Sequence, residues 1–213
     1  MTYIINNIND INTINELISH DKNIKISIYG YNKKFLDVAD YIYEIDYIES
    51  KNVKNLIHFK NLKSINILHG PISEHIDIIS NLNLNNLGLE SSDINNNDII
   101  KLNNINVLRL QACNYITDLS PLEDVETLIV DQCINIEKFP SFKNIKKLGI
   151  SYNEYITDLS SLAHLEKLVI KYCYNITNES SVKDIPFLEI TYCEWCIDNV
   201  CSKCIENSSI LSL

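Results

Sequence analysis

The chain has 213 residues, 46% of them hydrophobic, and a net charge of −10 with a sequence pI near 4.9. That sign argues against a nucleic-acid binder, whose affinity comes from neutralising phosphates, and no apolar run approaches the roughly 18–20 residues that span a bilayer. The seven cysteines are odd in number, which points to reduced thiols rather than a disulfide framework.

The opening residues, Met1-Thr-Tyr-Ile-Ile, lack the basic region and unbroken apolar block of a secretory signal. An intracellular, reducing compartment such as cytoplasm is therefore expected, and the Asn-x-Ser/Thr triplets at Asn175, Asn178 and Asn207 read as accidental. Isoleucine and asparagine are abundant while Arg109 is the single arginine. That bias is the one an AT-rich genome imposes on codons.

In chain order, residues 2–22 place Ile5, Ile8, Ile11, Ile14, Leu17 and Ile18 every three or four positions. The spacing predicts a short amphipathic helix, and residues 1–22 are expected to form an N-terminal cap. Ile24, Ile26 and Ile28 then alternate with polar residues as in a strand. Segments around Ile45, Ile65 and Leu87 follow at intervals of 20 and 22 residues. The extra residues between them, such as His69 to His75, are expected to bulge on a convex side.

From Ile105 one pattern repeats. Leu108, Leu128, Leu148, Leu168 and Leu188 lie 20 residues apart, each followed two residues later by Leu, Ile or Val. Cys113, Cys133, Cys173 and Cys193 recur at the ninth position, with Asn153 in the third copy. A fixed period of this length is the mark of a solenoid. Ordering 20 residues costs roughly 20–40 kcal/mol of backbone entropy. Six buried aliphatic side chains return only roughly 9–18 kcal/mol, so each coil depends on its neighbours. The runs Ile116-Thr-Asp-Leu119 and Ile156-Thr-Asp-Leu159 are too short for full helices and are expected to form turns or 3₁₀ pieces.

Residues 105–113 fit L-x-x-L-x-L-x-x-C, recurring across roughly residues 42–193, and so the chain resembles the leucine-rich repeat (LRR) family. The Cys113–Asp118 run is similar to the cysteine-containing repeats of F-box substrate adaptors, and Asp118-Leu-Ser-Pro-Leu122 to the short repeats of bacterial internalins. The composition looks like that of mimivirus-like LRR proteins of large AT-rich DNA viruses. The resemblance implies an α/β solenoid of about nine short 20–22-residue coils over residues 23–192. A parallel β-sheet would line the concave face, with turns and 3₁₀ pieces on the convex face. It implies no cofactor and no catalysis, and a function in protein–protein interaction through the concave face.

On that face the eighth repeat position holds Tyr152, Tyr172 and Tyr192, expected to stack as a column beside Lys171 and Glu189. Tyrosine offers a large rigid surface with a polar tip, which suits a partner-binding site; the competing reading is a column that only shields the sheet. Lys146, Lys147, Lys167 and Lys171 lie near these tyrosines, but interspersed Glu126, Asp131, Glu166 and Glu189 dilute them to ordinary surface charge. Residues 193–213 read as a C-terminal cap in which Cys193, Cys196, Cys201 and Cys204 are free thiols. The two C-x-x-C pairs leave zinc or nucleic-acid binding as an alternative. A substrate-recognition adaptor of a ubiquitin ligase is a second, although no F-box-like stretch precedes the array. No catalytic motif is present, and His69, Glu74 and His75 are the single local cluster of titratable groups.

Overall fold

The computed structural model describes residues 4–5, 10–21 and 25–191. The chain divides into two compact units, residues 1–93 and 94–213.

In the first unit β1 (Ile4–Ile5) precedes helix α1 (Ile11–His20) and pairs in parallel with β2 (Lys25–Gly30). The helix expected across residues 2–22 is thus ten residues long and starts at a defined cap. Asp10 accepts from the backbone N–H of Thr13 at 3.1 Å and of Asn12 at 3.3 Å, satisfying amides that the first turn leaves without partners. Hydrogen bonds from Thr13, side chain and backbone, hold the Asp10 carboxyl below its ordinary range. Ile14 is the residue α1 buries completely.

Three further strands follow, β3 (Ile42–Glu49), β4 (Ser64–Gly70) and β5 (Asn86–Ser92), each pairing in parallel with the strand before it. Ile45, Ile65 and Leu87 occupy matched positions in these strands. In β3 the buried residues are Ile42, Ile45 and Ile48, a spacing of three rather than two. A register shift between Ile45 and Ile48 accounts for it, because a bulge turns an extra residue out of the ladder. The connections are 3₁₀ segments at Lys33–Tyr41 and Ser50–His58. The 69–75 region differs from a simple convex loop. His69 and Gly70 complete β4, and Ser73–His75 forms a 3₁₀ turn leading into helix α2 (Ile76–Asn81), which takes up the longer spacing before β5.

The second unit begins with α3 (Asn96–Ile99), closed by a capping box between Asn95 and Asp98. Strands β6 (Val107–Gln111), β7 (Thr127–Asp131), β8 (Lys147–Ser151), β9 (Lys167–Lys171) and β10 (Phe187–Thr191) then pair in parallel in sequence order. The register is unshifted, so Leu108, Leu128, Leu148, Leu168 and Leu188 form one row across the sheet. A period of 20 residues closes one coil per strand, and the equal lengths keep every side chain in phase with its neighbour.

The coil from Ile105 to Val125 shows how the interior is filled. Ile105, Leu108, Leu110, Cys113, Ile116, Leu119 and Leu122 are all buried, and Val125 begins the next coil in the same state. The back of the coil is made of turns and short 3₁₀ pieces such as Ser160–Leu162 and Glu179–Val182. The Asp and Asn side chains there satisfy backbone amides. Asp118 and Asp158 accept from the N–H groups of Ser120 and Ser160 at 2.8 and 2.7 Å, and Asn178 caps the N–H of Leu159 at 2.8 Å. This is an α/β solenoid with a parallel sheet, the leucine-rich-repeat fold.

Candidate functional site

The ninth-position ladder is interior. Cys113, Cys133 and Cys173 are fully buried and none forms a disulfide. The Cys113 backbone N–H donates to Cys133 Sγ at 3.3 Å. The neighbouring Cys113 thiol and burial push the Cys133 thiol far above its ordinary pKa, and burial raises Cys173 to about 11. Cys133 and Cys173 are thus protonated packing groups, with no nucleophilic character at neutral pH. Asn153 fills the same position by another means. Its side chain accepts from the N–H groups of Tyr155 and Ile156 at 3.0 and 2.9 Å and donates to the Ile136 carbonyl at 3.0 Å.

The eighth position lies one residue past the end of each strand. At Ala112, Gln132, Tyr152 and Tyr172 the backbone φ is 51°, 54°, 54° and 55°, the left-handed region. Non-glycine residues pay for that conformation, yet the chain adopts it in four successive coils because the strand must break sharply to seat position nine in the core. The N–H groups of Tyr152 and Tyr172 then donate to the carbonyls of Lys171 and Thr191 at 3.0 and 3.1 Å, tying each break to the next strand. The tyrosines expected on the face of the sheet therefore stand on the turn at its edge. Tyr152 and Tyr172 do stack, with ring centroids 4.4 Å apart and planes 14° from parallel. Tyr152 is exposed and Tyr172 half-buried. Partial desolvation raises the Tyr152 phenol above its ordinary value, with the neighbouring Tyr172 adding to it. Tyr192 lies outside the described residues, as do Cys193, Cys196, Cys201 and Cys204.

Lys171 and Glu189 do not offer free charges. Lys171 Nζ meets Glu189 Oε1 at 2.7 Å with both side chains nearly inaccessible. β9 and β10 set Glu189 opposite Val169 and Lys171 opposite Thr191, so this is a diagonal cross-strand pair, within reach of long side chains. Ile129 and Val169, at the outward fifth position, are each only 2% exposed. Beside them Ser151 is buried and its hydroxyl donates to Asp131. At the C-terminal ends of β8 and β9 the exposed ring is thus Tyr152, one residue past the strand, while Ser151 and Lys171 are buried.

The lysines are similarly engaged. Lys146 binds Glu126 at 2.8 Å, and Lys167 lies 4.2 Å from the centroid of the Phe187 ring. His75 and His69 each approach a different carboxylate, Glu74 at 3.4 Å and Glu90 at 3.9 Å, so these groups form no convergent cluster. Among the described residues no group of three or more His, Cys, Asp or Glu side chains is arranged to hold a metal ion, and no helix is long and apolar enough to cross a membrane. The aromatic turns at the edge were not singled out by sequence reasoning. Their signal was Tyr115 and Tyr155, spaced two periods apart.

The geometry is that of a leucine-rich-repeat solenoid, and comparison with solved structures agrees. A leucine-rich-repeat protein of Leptospira interrogans aligns over 77% of this chain and 53% of its own, with 18% identity and a TM-score of 0.50. An internalin of Listeria monocytogenes aligns over 88% and 58%, with 20% identity and a TM-score of 0.49. The chain thus spans little more than half the length of each, and at this identity the first likeness establishes the fold alone. No family model and no curated protein sequence matches the chain.

Proposed function

We propose that this chain is a non-enzymatic protein-recognition scaffold whose partner is taken at the edge of the sheet, on Tyr152 and Tyr172. The observation that carries this reading is the stacked pair itself. Two large rings, one of them exposed, are held by left-handed turns on consecutive coils of an unshifted ladder. Such a surface binds with little loss of side-chain freedom. Tyr192, next in the 20-residue register, is proposed to extend it. Lys171 and Glu189 support the same site from beneath, as a fixed pair that orients the adjoining strands. The partner is expected to be a protein rather than nucleic acid or membrane, in keeping with the net charge of −10 and the paired lysines.

The test is a pull-down from lysate with wild-type chain, Tyr152→Ala/Tyr172→Ala, and Lys51→Ala, an exposed residue of the first unit, as the control. A protein retained by wild type and control but lost by the folded double variant supports the reading. Equal capture by all three removes the tyrosine pair from it.

A further inference from the structure

Beyond the left-handed residue, the turns after β6, β7, β8 and β9 each leave a large apolar or aromatic side chain in solvent. Tyr115 is 68% exposed, Ile134 55%, Tyr155 49% and Tyr174 43%. Isolated exposed apolar residues are ordinary, but a row of them on successive turns, three or four residues past each strand, marks an interaction surface. The row has an alternation that the coil repeat does not require. Tyr115 and Tyr155 stand four residues past their strands, whereas Asn135 and Asn175 hold that place in the intervening coils. Each of these asparagines donates from Nδ2 to a carbonyl of the coil before, Asn135 to Asn114 and Asn175 to Glu154, both at 2.8 Å. The asparagines lock adjacent turns together, and the tyrosines are left standing as ridges two coils apart.

Parallel strands lie about 4.8 Å apart, so the two ridges repeat every ~9.6 Å. A polyproline II segment advances about 3.1 Å per residue with three residues per turn, and repeats one face every ~9.3 Å. An extended β-strand repeats a face every ~6.7 Å and matches the ridges poorly. Charge points to the composition of the segment. Glu137, Glu154 and Asp158 are exposed on these turns. Lys138, the one cation on the turns at 112–118, 132–138, 152–158 and 172–178, faces Asp118 at 3.8 Å. We propose that this ridge docks a basic, proline-rich segment of a partner protein in the polyproline II conformation. Prolines would pack between Tyr115 and Tyr155 over Ile134, and lysine or arginine side chains would reach Glu137 and Glu154. The preformed extension of such a segment keeps the entropic cost of docking low. This surface is separate in its residues from the Tyr152–Tyr172 pair.

The test is a fluorescence-anisotropy titration of the full chain with a labelled peptide of five Lys-Pro-Pro triplets. Saturable binding is expected, weakened about tenfold or more in Tyr115→Ala/Tyr155→Ala and changed less than about twofold in Tyr152→Ala/Tyr172→Ala. A peptide of five Lys-Gly-Ser triplets, equal in charge, is expected to bind at least about tenfold more weakly. Thermal melting of each variant checks that the array is intact. Absence of saturation with wild type, unchanged affinity in the Tyr115/Tyr155 variant, or equal binding of the Lys-Gly-Ser peptide would each overturn the proposal. So would a wild-type dimer in sedimentation that Tyr155→Ala dissociates, because the ridge would then belong to a second copy of the chain. Failure of this titration leaves the Tyr152–Tyr172 pull-down outcome independent.

Discussion

Lys171 and Glu189 form a 2.7 Å ion pair across β9 and β10 with both side chains almost wholly removed from solvent. Taking two charges out of water is costly, and the pair persists because each ion is the other's compensation. Removing one partner therefore harms more than removing both. Lys171→Ala should lower the unfolding free energy by about 3–5 kcal/mol, whereas Lys171→Met/Glu189→Leu should fall within roughly 1 kcal/mol of wild type or rise above it. Urea denaturation of the three proteins decides it. A mild Lys171→Ala phenotype would mean that the pair is hydrated in solution.

Asn153 provides a second, sharper test of the ladder. It stands where three other described coils place cysteine, and its amide serves three backbone groups. Asn153→Ala orphans two N–H donors and one carbonyl in a buried setting, which should cost about 3 kcal/mol or more. Asn153→Cys, which restores the common residue of the position, should recover part of the loss by refilling the volume. A Cys variant no better than Ala in urea unfolding would show that the hydrogen bonds carry the whole effect.

The left-handed turn at position eight predicts a gain of stability. Gln132 is exposed with φ of 54°, a conformation that costs an L-residue roughly 1–2 kcal/mol. Gln132→Gly removes that strain and adds about 0.5–1 kcal/mol of unfolded-state entropy, leaving a net stabilisation of about 0.5–1 kcal/mol. Tyr172→Gly gains the same relief but forfeits the stack on Tyr152, worth about 0.5–1.5 kcal/mol beyond area burial. Gln132→Gly should thus melt higher than wild type and Tyr172→Gly should not. Identical shifts in calorimetry would deny the stack any contribution.

The period and its row of leucines were legible because one residue type recurs at one spacing, and the unshifted register of β6 to β10 is its direct result. The edge of the sheet was not legible to the same degree. Left-handed turns are usually announced by Gly or Asn, and here Ala112, Gln132, Tyr152 and Tyr172 occupy them. Tyr152 and Tyr172 therefore read as strand residues, one position before the chain breaks. Lys171 and Glu189 read as free surface charge because sequence spacing gives the register but not the diagonal reach of two long side chains. In the first unit the bulge between Ile45 and Ile48 and the helix Ile76–Asn81 had no period to reveal them.

The Cys173 thiol links the buried ladder to pH. Burial raises its folded pKa to about 11 from an ordinary thiol value of 9.0. Above the unfolded value, the unfolded chain releases a proton that the native chain keeps, so the unfolded state binds fewer protons and stability falls as pH rises. The contribution is fully present below pH ~9 and is lost as pH climbs through ~11, to a limit of about 3 kcal/mol. Other groups titrate in this range, so wild type is compared with Cys173→Ala, which lacks the thiol. The variant should be less stable than wild type by about 1 kcal/mol at pH 7. The gap should narrow, then reverse, between pH 9 and pH 11 in urea unfolding. A gap that stays constant across that range would mean that the Cys173 thiol titrates alike in both states, and that water reaches the ladder.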